Sequence, residues 1–125
     1  MSQFMLLLYN NPVNYTKMTQ QDGQKAMEKY MAFGQKLRKN NQYISSHKLA
    51  DEPGRVLRNA HGKTVTTDGP YSETKEWLGG YYFIEAPSYE AAVEASRDCP
   101  ILEYGGTVEV REVDARVAAA VSKAS

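Results

Sequence analysis

The sequence predicts an α+β fold in which two helices cover one face of a four-stranded sheet. Two segments, Gln3 to Tyr9 and Tyr81 to Ala86, are apolar on both faces of any strand they form, as central strands are. A helical pattern follows each of them. A length of 125 residues fits one domain, which we place at residues 1–113, with residues 114–125 as a helical or disordered tail.

The first half of the chain predicts a strand, a helix and a second strand. Asn10, Asn11 and Pro12 end the first strand, and an amphipathic helix then runs from Thr19 or Asp22 to Asn40-Asn41. Its predicted apolar face consists of Met27, Tyr30, Met31, Gly34 and Leu37. The next strand, Tyr43 to Leu49, is more polar, so we expect it near a sheet edge, with Tyr43, Ser45, His47 and Leu49 on one face.

The second half predicts an inserted hairpin, a strand, a helix and a last strand. Arg55 to Asn59 and Lys63 to Thr67 flank Gly62, which can take the positive φ of a tight hairpin turn. The strand Tyr81 to Ala86 follows the flexible pair Gly79-Gly80. Ser88 then caps a helix that Pro100 terminates, and Thr107 to Val113 alternates as a strand with one wet face.

This order of elements favours a ferredoxin-like β-α-β-β-α-β sheet with strand order 4-1-3-2, because that order puts the two apolar strands in the middle. The two helices cover one face, and the other face still carries apolar side chains. A second copy of the chain would bury them, so we expect a homodimer with a cleft that holds a small-molecule ligand.

Composition argues against several classes of function. The 15 basic and 15 acidic residues balance, which disfavours nucleic acid as a partner. The longest apolar run, Phe4 to Tyr9, is too short for a membrane helix, so we expect no membrane partner and a cytoplasmic location. Cys99 is the single cysteine and is interpreted as a small buried side chain. The spacing of ligand-type residues supports neither a metal nor any other cofactor.

Motifs along the chain resemble a known family. The segments QFMLLLYN, TVTTDGPYSETKEWLGGYYFIEA, DCP and GGTVEVREV occur in this order over residues 3–113, and together they resemble the DGPF-domain branch of the YCII-related proteins. The resemblance implies a dimeric α/β barrel of ferredoxin-like protomers and a role that is mostly undefined. The wider superfamily pairs a His with an Asp in its cleft. Tyr30 and Cys99 stand at those positions here, so the pair is not carried over.

Other residues must therefore carry any chemistry. Asp68 in the DGPY turn is a candidate general base, or alternatively a turn residue that accepts backbone N–H groups. His47 and Tyr30 are candidate proton-transfer partners, or alternatively structural residues. The candidate ligand-binding residues of the same loop region are Tyr71, Glu73, Thr74, Lys75 and Trp77. Alternatively, Tyr71 and Trp77 are core residues that anchor a lid, and Lys75 is a solvated cation at a helix end.

Two functions remain open at this level. One is a cofactor-independent lyase, isomerase or dehalogenase-like enzyme that uses Asp68 with His47 or Tyr30 in a dimer cleft. The other is a non-catalytic ligand-sensing or partner-docking module. The resemblance to proteins encoded beside extracytoplasmic-function sigma factors makes a regulatory protein the partner to consider for that second function.

Overall fold

The described part of the chain, residues 1–71 and 75–124 of a computed structural model, forms six strands and four helices. The strands are β1 (Ser2–Asn10), β2 (Tyr43–Lys48), β3 (Arg55–Ala60), β4 (Lys63–Asp68), β5 (Trp77–Ala86) and β6 (Thr107–Glu112). The helices are α1 (Val13–Thr16), α2 (Gln20–Lys39), α3 (Tyr89–Ser96) and α4 (Ala115–Ala124), with a 3-10 turn at Pro100–Leu102. Within this part of the chain no helix is long and apolar enough to cross a membrane.

The main sheet has the strand order β2-β5-β1-β6, and each neighbouring pair is antiparallel. The α+β class is therefore confirmed, and the order is compatible with the predicted ferredoxin-like topology. As expected, β1 and β5 occupy the middle and the more polar β2 and β6 occupy the edges. The barrel involves a second copy of the chain and stays a prediction.

The core lies on the face of the sheet that the helices cover. Phe4, Leu6 and Leu8 of β1 are buried there against Phe33 and Leu37 of α2. The alternate residues of β1 point to the opposite face and are only half-buried. We call that opposite surface of the main sheet the open face.

Helix α2 starts where expected, and its packed face agrees with the prediction in part. Thr19 caps it: its hydroxyl accepts a hydrogen bond from the Asp22 N–H at 3.1 Å, and Asp22 Oδ2 accepts one from the Thr19 N–H. The prediction that Met27 and Met31 belong to the apolar face is wrong, since they are 62% and 59% exposed. The other predicted members, Tyr30, Gly34 and Leu37, do pack inward, and Ala26 and Phe33 pack with them at helical spacing.

Helix α3 is the second of the two predicted helices, and its predicted cap is confirmed, because the Ala91 N–H donates to Ser88 Oγ at 3.1 Å. The small side chains of Ala91, Ala92 and Ala95 pack against the core, whereas Val93 points outward. Pro100 does not directly end this helix, which stops at Ser96, but opens the 3-10 turn that follows.

Strands β3 and β4 form the predicted hairpin as a separate two-stranded sheet. Its turn has His61 at φ 52° and Gly62 at φ 79°, so both central residues take the left-handed conformation of a tight hairpin turn. Every residue of β4 is exposed.

Strand β5 is longer than predicted. It begins at Trp77, so Gly79-Gly80 lie inside the strand and not before it. A Cβ atom at Gly80 would lie 2.8 Å from the His47 carbonyl oxygen of β2. The absence of a side chain therefore allows the two strands to approach each other at this point.

An irregularity in β2 changes which side chains share a face. The pairing register shifts between Tyr43 and Ser45. Tyr43 pairs with Ile84 and packs against the core, whereas His47 pairs with Tyr81 on the open face. The expectation that Tyr43 and His47 share a face is therefore wrong, because a bulge reverses the alternation of side chains.

Candidate functional site

The open face presents an apolar floor with polar groups on either side. Residues that pair across antiparallel strands project to the same face, so the register defines the arrangement. One cross-strand row reads His47, Tyr81, Leu7 and Glu109 from β2 to β6, and the next reads Ser45, Phe83, Met5 and Arg111. Three strand spacings of about 4.8 Å put His47 and Glu109 about 14 Å apart.

His47 and Tyr81 form a hydrogen-bonded pair on this face. His47 Nδ1 and the Tyr81 hydroxyl oxygen are 2.7 Å apart, and the two rings are tilted by 45° with centroids 5.6 Å apart. The imidazole is exposed and the Tyr81 side chain is half-buried, so a molecule on the open face could reach both. This is a pair of groups that can exchange a proton at short range.

A second polar group lies on the β6 side of the floor. The Tyr9 hydroxyl donates to Glu109 Oε1 at 3.2 Å, and Arg111 Nη1 lies 3.9 Å from Glu109 Oε2. Burial, followed by the hydrogen bond to Glu109, raises the pKa of Tyr9. Tyr9 is therefore a neutral hydrogen-bonding group at ordinary pH, and Arg111 is a cation available to an anionic ligand.

Asp68 lies at the base of the hairpin and is not part of the open face. Its side chain is 84% exposed, and its Oδ1 is 3.7 Å from Nε of Arg55, its cross-strand partner. Neither a hydrogen bond nor an ion pair joins the Asp68 and His47 side chains, both of which are described. The structure does not bring these two candidates together within one chain.

Tyr30 lies on the helix-covered side of the sheet. It is half-buried against the core cluster that includes Cys99, so the two positions where the superfamily has its His and Asp both face that cluster. Burial raises the pKa of Cys99 to about 11, which makes it a poor nucleophile near neutral pH. Tyr30 and His47 thus lie on opposite faces of one sheet.

The structure describes three of the five candidate ligand-binding residues. Glu73 and Thr74 lie outside the described residues. Tyr71 is 75% exposed, and the Arg58 guanidinium lies 5.3 Å from its ring centroid. Lys75 is exposed. Trp77 is half-buried in β5 and pairs with Asn10, which corrects the expectation that it lies in a loop.

Sequence reasoning missed Tyr81, Tyr9 and Glu109 as site residues. The alternation of the last strand already placed Glu109 on one face with Arg111. Each central strand also contains a tyrosine, Tyr9 in β1 and Tyr81 in β5, which the structure shows to be half-buried. The missing information was the register, which depends on two irregularities, one at Leu8/Tyr9 and one at Tyr43/Ser45.

A metal site has no support in the part of the chain that is described, where no three metal-ligating side chains cluster. The groups available on the open face are hydrogen-bonding and proton-transferring side chains.

The comparison with protein families identifies the chain. The model of the YCII-related domain matches residues 2–115, which is nearly the whole sequence. The chain belongs to the YCII-related family. This YCII-related chain is also 28% identical over 102 residues to an uncharacterized protein of Rhizobium meliloti (strain 1021), a match that covers 76% of this chain and 77% of the relative. The family is one of largely unknown function, so the site has to be interpreted from its own geometry.

Proposed function

We propose that this YCII-related chain is a cofactor-independent small-molecule enzyme that transfers protons on the open face of its sheet. The observation that carries the proposal is the 2.7 Å contact between His47 Nδ1 and the Tyr81 hydroxyl beside an apolar floor. Both groups are accessible, and both belong to strands of the main sheet. Such a pair suits an isomerase, a lyase or a dehalogenase-like elimination.

The proposed step is a relay of one proton. The Tyr81 oxygen takes a proton from a substrate carbon while the Tyr81 proton passes to His47 Nδ1, so His47 becomes the cation. In an isomerisation the same proton returns along this path to another substrate atom. In an elimination the substrate expels its leaving group, and His47 later loses the proton to water. Positioned acid–base groups of this kind typically contribute a factor of about 10² to 10⁴ in rate.

The surroundings suit a substrate that is partly apolar. Met5, Leu7 and Phe83 form the floor beside the pair, and Arg111 on the far side carries a positive charge. Asp68 and Tyr30 stay secondary candidates. One is exposed at the hairpin base and the other lies on the opposite side of the sheet, so each would need a different arrangement to reach this pair.

The proposal includes a homodimer that encloses the open face as a dimeric α/β barrel. Half-buried apolar side chains of β1 and β5 support it, since such a surface is usually covered. The DGPY segment supports membership of the DGPF branch. The single cysteine, Cys99, which is a free thiol, suits the proposed cytoplasmic location, where thiols stay reduced.

A metabolite screen tests the function. Wild type, His47→Gln and Tyr81→Phe are screened by thermal shift, and each stabilising compound is then incubated with protein and examined for turnover by mass spectrometry. We expect a converted compound whose kcat falls by about 10² or more in Tyr81→Phe. His61→Gln is the matched control, because His61 lies in the hairpin turn and should leave turnover unchanged.

A ligand-sensing or docking module is the second candidate. It is favoured by the apolar side chains that the hairpin and α4 expose, among them Leu57 at 64% and Val121 at 63%. In that case a compound would stabilise wild type and not His47→Gln, yet no conversion would be detected. Turnover that is unaffected in both His47→Gln and Tyr81→Phe would instead contradict the proposed proton relay.

A further inference from the structure

A groove on the helix-covered side of the molecule takes no part in the proposed proton relay. It lies between α2 and α3, and its volume is about 400 Å³. A groove of this size can hold a small molecule, since ligand clefts in proteins range from about 300 to 1,000 Å³. We call it the interhelical groove. His47 and Tyr81 project from the opposite face of the sheet, so the two places are separate.

The interhelical groove has an apolar floor. Phe33 and Leu37 of α2 close its bottom and are only 4% and 2% exposed. Ala91 and Ala95 of α3 line its other side and pack against the core. Because alanine carries only a methyl group, these two positions leave space between the helices that larger side chains would fill. An apolar group of a ligand can therefore lie on this floor.

An ion pair joins the two sides of the groove. Lys36 Nζ of α2 donates a hydrogen bond to Asp98 Oδ2, just after α3, and both side chains line the groove. They are 59% and 54% exposed, and an exposed pair of this kind contributes little to stability, so a ligand can separate it easily. Glu94, the other carboxylate of the lining, already pairs with Arg97 at 2.9 Å. The groove thus offers one ammonium and one carboxylate side by side above an apolar floor.

We propose that the interhelical groove binds a free α-amino acid with an apolar side chain, such as leucine. The ligand carboxylate accepts a hydrogen bond from Lys36, the ligand ammonium donates one to Asp98, and the apolar side chain lies on the floor. An amino acid carries its two charges on neighbouring groups, so it inserts between Lys36 and Asp98 and leaves neither charge without a partner. A ligand with one charge replaces the ion pair at one end only, which makes the complementarity poorer.

The test follows binding by two-dimensional NMR of isotope-labelled wild type during a titration with L-leucine. The side-chain amides of Asn40 and Gln42 line the groove and report on this place, together with the backbone amides of Ala91 and Ala95. Isopentylamine is leucine without its carboxylate, and isocaproate is leucine without its ammonium, so these two are the matched probes. We expect saturable shifts of the groove signals with leucine, and binding of each probe weaker by about fivefold, because each loses one exposed ion pair. L-Serine, which has no apolar side chain, should also bind more weakly.

Variants assign the two charges. Lys36→Gln and Asp98→Asn should each weaken leucine binding by about fivefold, and leucine should bind Lys36→Gln no better than isopentylamine does. Lys29→Gln is the matched control, because Lys29 of α2 pairs with Glu103 at similar exposure but does not line the groove. His47→Gln on the open face should also bind leucine as wild type does, so loss of the proton relay and loss of this groove are separate results.

Three outcomes would overturn the proposal. One is that leucine at millimolar concentration does not shift the groove signals of wild type. Another is that isopentylamine or isocaproate binds wild type as well as leucine does, which shows that the two charges are not read together. The third is that Lys36→Gln and Asp98→Asn bind leucine as wild type does. The first two results need no variant, so they hold even if circular dichroism shows that a variant is unfolded.

Discussion

Cys99 shows how its surroundings decide what a side chain can do. It is 2% exposed within the core cluster, and burial raises its pKa to about 11. The nearby phenol of Tyr82 behaves alike: burial, with Cys99 and Tyr43 as smaller causes, raises its pKa to about 12. Both groups stay protonated under ordinary conditions, so they act as packing residues and not as nucleophiles or bases.

These raised values predict how stability depends on pH. The unfolded chain ionises Cys99 near its ordinary pKa of 9.0, whereas the folded chain keeps it neutral until about pH 11. The folded state thus binds more protons in this window, and the free energy of unfolding falls as pH rises. We expect a constant contribution below pH 9 and, above it, a slope approaching about 1.4 kcal/mol per pH unit for one group.

Urea denaturation at pH 8.0, 9.0, 9.5 and 10.0 measures this slope. Tyr82 and Tyr9, whose pKa values are both raised in the folded chain, titrate in the unfolded chain only near their ordinary pKa of 10.0, so the decline that begins near pH 9 belongs mainly to Cys99. A Cys99→Ala variant should lower the whole curve and lose that early decline. A wild-type curve that is flat from pH 8 to 10 would show that Cys99 is not buried as described.

At the scale of an element, β5 pairs with two other strands and lies very close to one of them, β2, at Gly80. It pairs with β1 on one side and β2 on the other, so its backbone holds both halves of the main sheet together. The adjacent glycines at its start have different surroundings. A Cβ atom at Gly80 would lie 2.8 Å from the His47 carbonyl oxygen, whereas one at Gly79 would lie 3.8 Å from the Leu8 oxygen.

We therefore expect opposite effects from two neighbouring substitutions. Gly80→Ala should destabilise the chain by about 1 to 3 kcal/mol, because β2 must move away from β5. Gly79→Ala should be neutral or stabilise the chain by about 0.4 to 1 kcal/mol, because it restricts the unfolded chain without a clash. Chemical denaturation of both variants measures the difference. Equal effects would mean that β2 does not lie so close to β5 at this point.

At the scale of the whole molecule, the open face is the largest feature that one chain leaves unexplained. The helices and the core occupy one side of the sheet, and the other side carries half-buried apolar side chains between polar rims. The hairpin extends as a second sheet whose β4 strand is wholly exposed, and a two-stranded hairpin alone is marginally stable. Both features are expected of a chain that associates with a second copy.

The proposed homodimer is tested by a charge placed in the centre of this face. Leu7 lies between Tyr81 and Glu109, so Leu7→Lys would bury a cation in a face-to-face dimer, and removing that charge from water costs free energy even with Glu109 beside it. Sedimentation at micromolar concentration should show a dimer for wild type and a monomer for Leu7→Lys. Val93→Lys on the outer side of α3, where the side chain is 38% exposed, is the control and should stay dimeric.

A monomeric wild type would contradict the dimer and leave the open face exposed to solvent. A dimeric Leu7→Lys variant would move the interface elsewhere. Circular dichroism of each variant separates dissociation from unfolding, since a dissociated but folded chain keeps its helix and strand signal.

The sequence by itself determined the order of the six strands and of the two helices that cover the main sheet, and it determined which strands lie in the middle of that sheet; the short helix α1 was not predicted. The apolar run of β1, the alternation of β6, and the Thr19 and Ser88 caps are local patterns, so each was visible without knowledge of any partner residue. The hairpin was likewise predicted from the local sequence, because Gly62 marked the position of its turn. These signals depend on periodicity and backbone preference, which neighbours along the chain decide.

Only the tertiary structure decided which side chains meet. Met27 and Met31 fit the same helical pattern as Leu37, but packing on the sheet buried Ala26 and Phe33 and left the two methionines exposed. A bulge in β2 put Tyr43 and His47 on opposite faces of the sheet, and the register put His47 beside Tyr81. Asp68 lies exposed at the base of the hairpin, where its ion-pair partner is Arg55. Contacts between distant segments depend on strand register and on packing. A shift of one residue in the register moves every side chain of a strand to the opposite face, and no local pattern of the sequence specifies the register.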